Sequence, residues 1–191
     1  MKKKTLLTFL SALLLLPLTL TDTADAQWSI GASYEIRDED PTNGFGVRLE
    51  RGILSAVPIV DLGLRGHFSF FNESNDVSSG GVTLDQTIQS YDFGVAATGG
   101  VSIGLVKPYV GLGIGWDNTS LEYSGGDVGS VNLQEDFEAQ DFYWNGFVGA
   151  QVTIIPILNP FIEYRFTDIS GREDVGFDTA SRLAIGVSLS F

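Results

Sequence analysis

The chain has no cysteine, a single histidine and fewer than half as many basic as acidic residues, and each shortage excludes a class of site. Without cysteine there is no disulfide and no thiolate metal centre. One histidine, His67, excludes a multi-histidine metal centre. The formal net charge of −13 makes nucleic acid an unexpected partner. No Gly-rich phosphate loop precedes a helix, so we expect no cofactor.

Long apolar runs are also missing, except for one at the N-terminus. Residues 2–4 are lysine, residues 6–20 are mostly apolar, and Ala24 and Ala26 supply the small side chains that a signal peptidase requires. Thr, Ser and Pro interrupt the run, which is short for a membrane-spanning helix of about 20 residues. The pattern predicts a cleaved secretory signal peptide over residues 1–26 and one domain over residues 27–191.

Most of that domain alternates between large apolar side chains and small or polar ones. A period of two is typical of β-strands, because successive side chains point to opposite faces. Eight such segments follow one another as four hairpins, which predicts an all-β, eight-stranded antiparallel up-and-down barrel. The predicted strands cover about 28–37, 45–51, 60–70, 88–98, 107–117, 141–153, 160–167 and 181–191.

The connections between these segments are of two kinds that take turns along the chain. Residues 38–44, 71–87, 118–140 and 168–180 are polar, acidic and mostly long, and we expect them to be solvated. Residues 52–59, 99–106 and 154–159 are shorter, with proline in or beside them. Bacterial membrane barrels have short periplasmic turns and long external loops, so both termini are predicted to be periplasmic.

The composition of the two faces separates a membrane barrel from a soluble one. A soluble barrel of the lipocalin type points its large apolar residues inward, whereas here the other face is mainly Gly, Ser and Ala. Gly111, Gly113 and Gly115 suit the lining of a narrow lumen and are expected to leave some room in it. Aromatic residues near strand ends predict two interfacial girdles. They are Tyr34, Phe45, Phe70, Tyr91, Trp116, Phe142, Trp144 and Phe166 at the loop end, and Trp28, Phe161 and Phe191 at the turn end.

The last segment places Leu183, Ile185, Val187, Leu189 and Phe191 on one apolar face. This pattern resembles the C-terminal sorting signal that the barrel-assembly machinery recognises in bacterial β-barrel proteins. Together with residues 107–116 and 163–169, it makes the chain similar to the small outer-membrane β-barrel family that includes OmpA-type and OmpX-type barrels and related surface antigens. The resemblance implies an eight-stranded antiparallel barrel, integral to the outer-membrane lipid bilayer and without common catalytic residues. We also expect the protein to be monomeric.

Charged residues on the inward face are expected to pair, because an unpaired ion in a low-dielectric interior is costly. Arg65, Arg165 and Arg182 are predicted to be shared among carboxylates, and Arg182 to bridge the seam between the last and first strands by pairing with Glu35. A plugged lumen is the main interpretation, and a gate that passes small ions is the alternative. The inward charged residues are Glu35, Arg37, Arg48, Glu50, Asp61, Arg65, His67, Asp92, Glu163, Arg165 and Arg182.

Three functions follow from this pattern. The first is a structural or surface-interaction role in adhesion or envelope integrity, without catalysis and with an unidentified extracellular ligand. The second is a small ion- or solute-conducting porin. The remote third is a lipid A-modifying enzyme, since His67 and Ser69 share one face; however, the resembling deacylase motif is followed by Asn, and here Phe70 follows.

Overall fold

The computed structural model describes residues 28–57, 60–79, 82–124, 137–155, 157–169 and 179–191, which form a closed barrel of eight strands. The predicted signal peptide lies outside these residues. No helix in the described part is long and apolar enough to cross a membrane. The strands are β1 Trp28–Arg37, β2 Asn43–Val57, β3 Val60–Ser79, β4 Val82–Val101, β5 Val106–Ser124, β6 Phe137–Val152, β7 Leu158–Ile169 and β8 Thr179–Ser190.

Each strand pairs antiparallel with its neighbour in the chain, and β8 returns to pair with β1. This seam runs from Ser29 opposite Ser190 to Arg37 opposite Arg182. Beyond it, Trp28 and Phe191 exchange two backbone hydrogen bonds of 3.0 and 2.8 Å. The predicted eight-stranded up-and-down antiparallel barrel is therefore confirmed.

Several strands are longer than the sequence pattern predicted. β3 continues to Ser79 and β4 starts at Val82, so most of the expected loop over residues 71–87 is strand. β5 similarly runs to Ser124, and β6 begins at Phe137. Apolar alternation ends where these strands leave the lipid-facing band, but the backbone ladder of a hairpin continues without it. We call residues 72–79, 82–89, 118–124 and 137–141 the projecting sheet.

The outer face of the barrel is an exposed apolar band with a sharp polar border. Phe45 and Leu112 are each 68% exposed and face away from the interior. At the loop end the outward positions change to Asn43, Asn72 and Asn118 next to the aromatic residues. All eight aromatics predicted for the loop-end girdle are exposed. A face of this composition is stable only when lipid covers it.

The assignment of one residue to the turn-end girdle was wrong. Phe161 is only 4% exposed and faces the lumen, where the guanidinium carbon of Arg48 lies 3.4 Å from its ring centroid. Its position explains the difference, since Phe161 shares its side of β7 with the inward Glu163 rather than with the exposed Ile162. Proximity to a strand end does not outweigh this parity.

The glycines of β5 make room for aromatic rings rather than leaving the lumen open. A methyl group added at Gly111 would fall on the ring of Phe147, and one at Gly115 would lie 2.5 Å from the Tyr143 hydroxyl. Phe147 and Tyr143 belong to the neighbouring strand β6, directly opposite these glycines, and are 5% and 0% exposed. The expected room beside β5 is therefore occupied.

This packing predicts a difference between two glycines of the same barrel. Gly111→Val should lower the free energy of unfolding by about 1–3 kcal/mol through overpacking against Phe147. Gly66→Val is the control, because a methyl group at Gly66 meets nothing within 4 Å. Urea unfolding of each variant, refolded in lipid vesicles, measures the effect. Equal midpoints for the two variants would contradict the packing described here.

Candidate functional site

The lumen contains two clusters of charged and phenolic side chains at successive levels of the barrel. Each is organised around one buried carboxylate, Glu163 or Asp92, whose side chains are 2% and 1% exposed. The Glu163 cluster consists of Glu163, Arg48, Glu50, Arg65, Tyr109 and Arg165. The Asp92 cluster consists of Asp92, Glu35, Arg37, His67, Asp117, Tyr143 and Arg182.

Glu163 accepts hydrogen bonds from four side chains. Its Oε2 accepts from Arg65 Nη1, from the Tyr109 hydroxyl at 3.0 Å and from Arg48 Nη1 at 3.4 Å. Its Oε1 accepts from Arg165 Nη2 at 2.8 Å. One carboxylate thus serves three guanidinium groups, which is the arrangement that a buried charge requires to offset its lost hydration.

The remaining faces of these guanidinium groups are also occupied. Glu50 Oε2 accepts from Arg65 Nη2 and Nε at 2.8 and 2.9 Å. Arg65 lies 4.6 Å from the Phe147 ring centroid, and Arg48 donates to the Ser188 hydroxyl at 2.8 Å. Cation–π contacts of desolvated arginines are stabilising, so the inward aromatics belong to the charge network as well as to the packing.

Asp92 has a comparable set of donors. Arg182 donates Nη1 to Oδ2 at 2.8 Å and Nη2 to Oδ1 at 3.1 Å, and Arg37 donates Nη2 to Oδ2 at 2.9 Å. The Tyr143 hydroxyl donates to Oδ1 at 3.2 Å. His67 Nε2 lies 2.8 Å from that hydroxyl. Because Tyr143 gives its proton to Asp92, the His67 Nε2–H is the donor to Tyr143.

Arg182 also joins the two strands of the seam. Its Nη1 donates to Glu35 Oε2 at 3.0 Å and to the Ser69 hydroxyl at 3.1 Å. Glu35 and Arg182 are 4% and 5% exposed. The structure therefore brings together the two residues expected at the seam and adds Asp92 as a third member.

Every charge assigned to the predicted network has an ion pair within it. Arg65 contacts Glu50 and Glu163, and Arg165 contacts Glu163. Asp61, also assigned inward, instead forms a half-exposed pair with Lys107 at 3.1 Å near the turn end. The sequence reasoning missed the phenolic partners Tyr109 and Tyr143, although both stand on inward positions. Alternation predicts on which face of its strand a residue lies. It does not predict which other strand a long side chain contacts across the lumen.

Among the described residues, three ion pairs cross the full diameter of the barrel. Arg65 on β3 contacts Glu163 on β7, and Arg182 on β8 contacts Asp92 on β4. Arg37 on β1 lies 3.7 Å from Asp117 on β5. In each pair the two strands are four apart in a ring of eight and form opposite walls. These bridges obstruct the lumen at two levels, as expected for a barrel of this size, whose interior is filled by side chains.

The pair that suggested an enzyme faces the same interior. Ser69 is 1% exposed and its hydroxyl accepts from Arg182, while His67 contacts Tyr143. Both side chains are therefore engaged in the Asp92 cluster, away from the lipid in which a lipid A substrate would lie. Among the described residues, no group of three or more His, Asp or Glu side chains is arranged to hold a metal ion.

The residues of the predicted sorting signal lie on the outer face. Ile185, Val187, Leu189 and Phe191 are exposed and Leu183 is half-buried. Recognition of this face by the assembly machinery stays a prediction.

Removing Arg182 should destabilise the barrel strongly, because Glu35 loses its cation and Asp92 keeps only Arg37 as a close ion pair. We expect Arg182→Ala to lower the free energy of unfolding in urea by about 3–5 kcal/mol. Lys107→Ala is the control, since the Lys107–Asp61 pair is partly exposed and worth about 0–1 kcal/mol. Adding Glu35→Ala to Arg182→Ala should recover part of the loss. Equal losses for Arg182→Ala and Lys107→Ala, with no recovery, would refute the proposed seam.

Comparisons with known proteins agree with this architecture. Residues 6–191 match a family described as outer membrane protein beta-barrel domain. No curated protein sequence matches significantly. A major outer membrane protein of Thermus thermophilus has a similar structure, with 14% identity, TM-score 0.69 and coverage of 88% of this chain and 100% of that one. Neisserial surface protein A has 16% identity, TM-score 0.58 and coverage of 88% and 98%.

The attachment invasion locus protein Ail of Yersinia pestis, solved with the heparin analogue sucrose octasulfate, is also similar. It has 16% identity and TM-score 0.54, and the alignment covers 87% of this chain and 97% of Ail. Identities this low show a shared fold, whereas the family match extends over nearly the whole sequence. The chain belongs to the outer membrane protein β-barrel domain family and is an integral outer-membrane protein.

Proposed function

We propose that this protein acts at the cell surface, in adhesion or in maintaining the envelope, as a barrel with a closed lumen and no catalytic activity. The projecting sheet is the observation that carries the proposal. It offers a surface outside the lipid band, while the bridged lumen offers no free path through the barrel.

The projecting sheet is built by four of the eight strands. Pairing between β3 and β4 continues to Ser79 opposite Val82, and β5 pairs with β6 as far as Leu121 opposite Phe137. On the flanks, β2 pairs with β3 only to Phe71, and β6 pairs with β7 from Tyr143. Seven residues beyond the polar border extend roughly 23 Å at 3.3 Å per residue. The strands above the barrel therefore form an open sheet with two edges.

Charge restricts the kind of partner that suits this sheet. Its residues include no Lys, Arg or His, and the acidic ones are Glu73, Asp76, Asp85, Glu122, Glu138 and Asp141. Ail was solved with a polyanionic sulfated sugar. An acidic sheet repels such a ligand and favours a basic protein surface, since complementary potentials speed and select association.

The proposed orientation has both termini in the periplasm and the projecting sheet outside the cell. The connections at the opposite end support it, because the described turns there, such as residues 102–105, are short. A porin would require the pairs that cross the diameter to open. A lipid A-modifying enzyme would require His67 and Ser69 to reach the lipid.

Adherence of intact cells to a surface coated with a lysine-rich protein tests this proposal. Cells producing the protein should bind better than cells without it, and Glu73→Gln, Asp76→Asn and Asp85→Asn together should reduce the gain, because they remove three of the six carboxylates of the projecting sheet. Asp61→Asn is the control at the turn end, which faces the periplasm in this orientation, and it should leave adherence unchanged. No gain over cells without the protein, or an equal loss in the Asp61→Asn variant, would overturn the proposal.

A further inference from the structure

We propose that the lumen holds one small monovalent anion, chloride in the cell, between β6 and β7 at Asn145, Arg165 and Thr167. These three side chains are 0%, 4% and 5% exposed. Within the described residues, four donors have no hydrogen-bond partner: Arg165 Nε and Nη1, the Asn145 amide nitrogen and the Thr167 hydroxyl. The Asn145 amide oxygen, which can only accept, is unpaired as well. Buried donors of this kind cost free energy unless something accepts their hydrogens.

The register of the strands places the three residues together. Asn145 stands directly opposite Thr167, and Arg165 is two positions before Thr167 on the same inward face of β7. Opposite residues in a sheet have Cβ atoms about 5 Å apart and diagonal ones about 7–8 Å apart, within reach of an arginine side chain. On the other side of Asn145, its partner on β5 is Gly113, and the Asn145 amide oxygen packs so close to this glycine that an added methyl group would lie 2.8 Å from it.

The charge next to Arg165 is locally positive. Arg48, Arg65 and Arg165 share two carboxylates, Glu50 and Glu163, which gives the Glu163 cluster a formal excess of one positive charge. The Asp92 cluster has the opposite excess, because two arginines there share three carboxylates. Arg165 also stands opposite Arg182 across β7 and β8. An anion at Arg165 lies on the positive side of the lumen, where halide ions accept hydrogen bonds from guanidinium, amide and hydroxyl donors alike.

His67 is not a donor to the anion, although its Nδ1 also lacks a hydrogen-bond partner among the described residues. Because Nε2 donates to Tyr143, Nδ1 of the neutral ring carries a lone pair and cannot bind an anion. The donors that remain for the anion lie on β6 and β7.

Bromide substitutes for chloride and can be located by its anomalous scattering. The protein should be refolded in sodium bromide, so that the anion can enter during barrel closure, and then crystallised from the same salt. We expect an anomalous peak in contact with Arg165, Asn145 and Thr167. A wild-type map without a peak there would overturn the proposal and leave water as the partner of these groups.

A measurement in solution keeps the test independent of crystals. The urea midpoint of the wild type should be higher in chloride than in gluconate at equal ionic strength, because an anion that binds only the folded state stabilises it. Thr167→Val, which removes one donor and nearly conserves volume, should reduce this difference; Thr119→Val at the loop end should not. Equal midpoints in the two salts, or equal behaviour of the two variants, would contradict a site at β6 and β7.

Discussion

The interior of this barrel is too narrow for a charge to remain hydrated as it is in bulk water, so each charge must find its partner inside. Five arginines and five carboxylates meet this constraint, and each lies within an ion pair of 4 Å or less. The pairs Arg65–Glu163, Arg182–Asp92 and Arg37–Asp117 satisfy it by crossing from one wall to the other. The side chains that neutralise the interior are therefore also the ones that cross the lumen.

The choice of small and aromatic residues follows from that closure. Glycines on β5 admit Phe147 and Tyr143 from β6, and these rings contact the cluster arginines or donate to Asp92. The outer face carries the apolar side chains that lipid covers. Among the described residues, the acidic projecting sheet is the part that extends beyond the lipid band, and the proposed surface role rests on it.

The sequence was sufficient for the barrel and for the side of each strand. Period-two alternation specified eight strands and their inward residues, because one face of every strand contacts lipid and must be apolar. The same signal ended too early in β3, β4, β5 and β6, whose outer parts continue by backbone pairing without apolar alternation. Phe161 was misplaced for a different reason, because nearness to a strand end was given more weight than the alternation, which places it inward.

The partners within the lumen were predictable only in part. The seam contact between Arg182 and Glu35 followed from parity and from the closure of β8 on β1. The central positions of Asp92 and Glu163, and their bonds to Tyr143 and Tyr109, depend on which opposite wall a side chain reaches across the lumen. The distance between opposite walls depends on the closure of all eight strands, and no local pattern in one strand predicts it.

Ion conductance of the refolded protein in planar lipid bilayers tests the closed lumen most directly. The account predicts no discrete current steps for the wild type, because ion pairs cross the lumen at two levels. It also predicts steps when Arg37→Ser, Arg65→Ser and Arg182→Ser together remove all three crossing pairs, provided that the variant inserts as a barrel. Discrete steps from the wild type would contradict the account and favour a pore.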